Sequence, residues 1–123
     1  MTTIGSKYRG KREFLLVYCE LIQAARYQGI VYYKRIARLI GIEEPGHHMA
    51  RQVGQVLGEI SEDEHAAGRP MLSAVAVASD DHPGDGFFTL ARNLGLLDSE
   101  DESQMQEFWE RQRDRVYDTW HVD

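Results

Sequence analysis

The sequence predicts an α+β, mostly helical fold: a helix-turn-helix followed by a small β-hairpin, with flanking amino- and carboxy-terminal helices, a winged-helix-like order. Three observations predict it. Two stretches with helical spacing of apolar residues, 33–40 and 47–64, are separated by Gly41 and the turn Glu43-Glu44-Pro45-Gly46. After Gly68-Arg69-Pro70, residues 71–78 form an apolar run with Leu72, Val75 and Val77, too apolar for a strand with one wet face. The segment Pro83-Gly84-Asp85-Gly86 then supplies the residues of a tight reversal, and Phe87-Phe88 begins the return strand.

In chain order, residues 1–9 read as a flexible, weakly basic arm. Phe14, Leu15, Tyr18, Leu21, Ile22 and Ala25 recur at helical spacing, and Gly29 is the expected stop. Ile30-Val31-Tyr32 is β-branched and aromatic, which predicts a short strand that pairs with the hairpin. The helix over 33–40 sets Ile36, Leu39 and Ile40 against Lys34, Arg35 and Arg38. In the helix over 47–64, Met49, Val53, Val56, Leu57 and Ile60 form the inward stripe. His48, Arg51, Gln52, Gln55, Glu59 and Glu62 form the outward one. Phe88, Leu90, Ala91, Leu94 and Leu96 suggest a short helix ending at Gly95. Residues 98–103 are an acidic linker or helix start, and Met105, Phe108, Trp109, Gln112, Val116 and Trp120 mark a carboxy-terminal helix over 104–120.

A chain of 123 residues, 42% apolar, is read as one domain with its own core. A single cysteine, Cys19, rules out an internal disulfide and suits a reducing compartment. No signal peptide is expected before the first helix, and no apolar run approaches the roughly 20 residues that span a bilayer. The expectation is a cytoplasmic protein with no membrane partner. The net charge of −6 hides an asymmetry. Residues 1–60 hold nine Lys/Arg against five Asp/Glu, and the remainder holds five against fifteen. Local potential governs phosphate binding, so a basic face beside an acidic one permits nucleic acid without demanding it.

Reactive constellations are scarce. The histidines His47, His48, His65, His82 and His121 show no i, i+4 zinc pair. Asp80, Asp81, His82 and Asp85 sit in a turn where acids are ordinarily just solvated. Cys19 lies near the apolar stripe of its helix and reads as a small core residue. Ser73 has no glycine elbow around it, and no glycine loop is spaced to cradle phosphate. The expectation is therefore no enzyme, no cofactor and no metal.

Tyr33, Ile36-Ala37, Gly41 and the run Ala50-Arg51-Gln52-Val53-Gly54-Gln55-Val56-Leu57 resemble the winged-helix DNA-binding domain of the alkylguanine-DNA alkyltransferases and their alkyltransferase-like relatives. The resemblance implies that Arg51 enters duplex DNA in place of an extruded nucleotide, with Ala50 and Gly54 allowing close approach. The family's reactive Pro-Cys-His-Arg signature is absent, because Pro70-Met71-Leu72-Ser73-Ala74 stands there. Alkyl transfer is thus not expected. The run Gly68-Arg69-Pro70-Met71-Leu72-Ser73-Ala74-Val75, with the Pro83–Phe88 tip, resembles instead an uncharacterised bacterial domain found alone or beside restriction-type nuclease domains. Together these readings imply a non-enzymatic DNA-binding protein contacting nucleic acid through Tyr33, Lys34, Arg35, Arg38, His48, Arg51, Gln52 and Gln55. The alternative is a protein–protein interaction module or accessory subunit without nucleic-acid binding, which meets a second copy, as a homodimer, or another protein through the helix of Trp109 and Trp120.

Overall fold

The structure, a computed structural model, describes residues 5–122. Among them are five α-helices: α1 (Arg12–Arg26), α2 (Tyr33–Leu39), α3 (His47–Ala66), α4 (Asp85–Asn93) and α5 (Glu102–Trp120). Two short strands, β1 (Val31–Tyr32) and β2 (Ala76–Val77), pair in parallel, with Val31 opposite Ala76 and Tyr32 opposite Val77. The fold is α+β and mostly helical. No helix among the described residues is long and apolar enough to cross a membrane.

The hairpin is not formed. Leu72–Val75 makes a 3₁₀ turn, β2 pairs with β1, and Phe87-Phe88 belongs to α4. The reason is visible in the hydrogen bonds. Buried backbone groups must find partners, and over this segment three side chains supply them. Met71 N–H donates to Gln112 Oε1 (3.0 Å), Ser73 N–H to Ser61 Oγ (3.0 Å), and Trp109 Nε1–H to Ala74 O (2.9 Å). Residues 71–77 are buried throughout, packed against α3 and α5, so an apolar run that looks like a strand serves as the hub of a helical core. The expected turn is instead a helix start. Gly84 caps α4, and Phe87, Phe88, Leu90 and Ala91 form its buried face.

Three other expectations need correction. Glu59, placed on the outward stripe of α3, is fully buried. Residues 5–9 do not form a loose arm: the backbone N–H groups of Lys7, Tyr8 and Arg9 all donate to the Glu59 carboxylate at 2.9–3.1 Å. Residues 1–4 of the expected arm lie outside the described residues. A buried carboxylate requires donors, and this segment provides a row of them. Tyr8 is buried beneath it. Cys19, expected in the core, is exposed.

Four of the five described helices close in a common way. At α2, Gly41 takes φ 83°, Ile42 N–H reaches back to Ala37 O (2.8 Å) and Gly41 N–H to Arg38 O (3.1 Å). The same bond pair recurs after α3 and α4. After α1 the left-handed position belongs to Gln28 (φ 58°), and Gly29, the expected stop, is one residue beyond it. A side chain there carries a steric penalty. Gln28→Gly is expected to stabilise the protein by about 1 kcal/mol, read as a raised urea midpoint with unchanged slope. A lowered midpoint would contradict it.

Candidate nucleic-acid interface

Gly41 to Gly46 turns the chain from α2 into α3, and Gly46 (φ 129°) precedes the first residue of α3. This turn brings the basic side of α2 near the first turns of α3. Lys34 and Arg38 are exposed and rim a shallow groove with Ile42, Pro45 and Met49. Glu43 stands in the same groove, so this face is not free of carboxylate. Arg35 turns away to pair with Glu20 on α1 at 3.2 Å.

His48 and Arg51 are exposed on α3, and no carboxylate among the described residues lies within ion-pair distance of Arg51. Gln52 and Gln55 are half-buried and engaged. Gln52 Oε1 accepts from the Tyr8 hydroxyl at 2.5 Å, while Gln55 Nε2 donates to Gly5 O (2.7 Å) and to Glu59 (2.8 Å). Of the eight predicted residues, five are exposed, Lys34, Arg35, Arg38, His48 and Arg51, and of these Arg35 is held in an ion pair.

Tyr33 serves a different feature. Its hydroxyl accepts the Gly84 N–H at 2.7 Å, tying the start of α2 to the start of α4. Burial pushes the phenol pKa up, and the nearby Asp80 adds to that against the Gly84 N–H. Tyr33, Ala50, Gly54, Leu57, Gly84 and Phe87 line a mainly apolar pocket of about 190 Å³. Ala50 and Gly54 are successive residues on one line of α3, so the pocket borders the helix turn that carries Arg51, whose own side chain does not line it. A Cβ at Gly54 would meet nothing within 4 Å. Sequence reading misses this pocket because it puts Pro83–Gly86 in a hairpin turn and Phe87-Phe88 in the return strand, so the helix expected from Phe88, Leu90 and Ala91 starts too late; α4 already begins at Asp85.

Burial also pushes the Glu59 carboxyl up, but the side-chain N–H of Gln55 and the backbone N–H groups of Arg9, Lys7 and Tyr8 outweigh it. The group lies below the usual carboxylate range. Arg9 adds ion pairs to Glu62 (2.8 Å) and Asp63 (3.0 Å). Five residues beyond Glu59 along α3, Glu64, fully buried, accepts from the Tyr18 hydroxyl and from Arg69 Nε and Nη2 (2.9 and 2.8 Å). The Arg69 guanidinium lies 5.6 Å from the Trp120 ring. These contacts lock helices together and offer no nucleophile to a ligand.

In the loop before α4, Asp81 accepts from the Tyr32 hydroxyl (2.5 Å), Asp80 from the His82 N–H (3.1 Å), and the His82 ring packs edge-on against Trp109. Among the described residues no three His, Cys, Asp or Glu side chains are grouped to hold a metal ion. Trp109 is buried against β2's neighbourhood and is not part of an exposed stripe. Searches against protein-family models, curated proteins and solved structures gave no match for this chain.

Proposed function

We propose that this chain is a non-enzymatic DNA-binding protein that uses α2 and α3 as a helix-turn-helix, with Arg51 at the centre of the contact. The observation that carries this reading is the setting of Arg51. It is exposed, has no ion-pair partner among the described residues, and stands between Ala50 and Gly54 beside an apolar pocket. Small residues on either side let a helix approach a duplex closely, and a guanidinium presents five donors and a stacking plane. The resemblance of this run to the alkyltransferase-like helix points the same way. An aromatic-lined pocket of this size next to the arginine suits a planar group displaced from a stack.

The test is fluorescence anisotropy with a labelled duplex at low salt. Arg51→Ala is expected to cost about 1–3 kcal/mol of affinity. Gly54→Leu should weaken binding comparably by raising the surface next to Arg51, and because a Cβ there meets no atom within 4 Å, circular dichroism should show an unchanged fold. No binding by the parent protein at low salt would overturn the reading. The competing reading, a protein-interaction module, has Glu43 beside Lys34 and Arg38 in its favour. It would gain from that same negative result.

A further inference from the structure

We propose that the amino-terminal segment, residues 5–11, is a second, built-in part of the DNA interface, in which Lys7 and Lys11 hold backbone phosphates alongside Arg51. This inference rests on the DNA-binding reading above and assigns the phosphate contacts that α2 supplies only in part.

The outward face of α3 becomes acidic toward its end, where Glu59, Glu62 and Asp63 would repel a phosphate. The segment removes that obstacle. Its consecutive N–H groups enclose Glu59, and Arg9 pairs with both Glu62 and Asp63. The acidic end of the helix is thereby covered by chain that carries positive charge.

Placement then does the rest. The Tyr8 hydroxyl sits on Gln52, the residue next to Arg51. The ammonium groups of Lys7 and Lys11 lie 6.0 and 5.9 Å from the Tyr8 ring centre. Both lysines are exposed, and neither has a carboxylate within ion-pair distance among the described residues. Two unneutralised cations are thus held by a buried anchor beside the candidate contact helix. On α2, by contrast, Arg35 is consumed by Glu20, and Glu43 shares the groove of Lys34 and Arg38. A duplex seated on Arg51 would find its better phosphate partners on the segment.

The experiment measures the salt dependence of duplex affinity for the full chain, Lys7→Gln/Lys11→Gln, Glu59→Gln, Arg51→Ala and Arg111→Gln. Each phosphate contact contributes about −0.9 to the slope of log affinity against log salt. The double lysine variant is expected to flatten that slope by roughly 2 and to weaken all duplex sequences alike. Glu59→Gln, checked for fold by circular dichroism, should lose affinity as well, because it loosens the anchor. Arg111→Gln, at an exposed position of α5, should match the parent. If the parent binds with an Arg51-dependent affinity but the double variant keeps its slope, the inference falls and the DNA-binding reading stands. Tighter binding by Glu59→Gln would mean that the segment masks the helix, which also overturns the inference. If the parent binds no duplex, the reading fails and the inference fails with it.

Discussion

Replacing Trp109 with alanine should destabilise the protein by about 3–5 kcal/mol. The ring is 5% exposed, and its Nε1–H is the donor that satisfies Ala74 O inside the core. Truncation removes the apolar surface and leaves that carbonyl unpaired, so the two costs add. Trp109→Phe keeps most of the volume and should cost less, about 1–3 kcal/mol for the lost hydrogen bond. Urea unfolding followed by circular dichroism measures both. Sedimentation should show the same mass for the folded variants as for the parent, because the ring faces inward. A fall in mass without loss of stability would restore the interface role that the sequence suggested for this helix.

The second large effect concerns Glu59. Its folded carboxyl lies below the ordinary value, so it contributes stability at pH values above the unfolded carboxylate range. That contribution is lost as pH falls through the folded value, when the proton displaces the N–H donors. Glu59→Gln should cost about 1.5–3 kcal/mol at neutral pH, the range for hydrogen bonds to a charged group. The gap between parent and variant should then narrow as the solution is acidified from pH 7 toward pH 3. Urea midpoints across that range provide the measurement. Parallel curves would show that the carboxylate does not carry the interaction.

Much of the helical framework was legible because helix periodicity is local. Phe14, Leu21 and Ala25 in α1, and Val53, Val56, Leu57 and Ile60 in α3, face the core as their spacing required. The short strand at Val31–Tyr32 was legible from β-branched and aromatic composition. The hairpin was misread because burial hides period. Residues 71–77 are apolar on every side, and such a run looks the same as a strand or as a tight helical turn. What decided between them was Gln112, Trp109 and Ser61, which reach the segment from far along the chain. The site shows the same division. The openness of Lys34, Arg38, His48 and Arg51 follows from the outer face of each helix, whereas the engagement of Gln52 and Gln55 depends on residues about 45–50 positions away. Tyr8 carried no periodic signal and Glu59 a misleading one, and only the folded chain reveals them as partners.

The grip of Glu59 on the start of the chain gives assembly a direction. The two contacting segments are 51 residues apart, and joining them closes a long loop whose entropic cost nothing local offsets. The carboxylate is presented only once α3 has coiled and docked. The amino-terminal segment is therefore expected to fasten last, onto a surface already made, and to be the first part released.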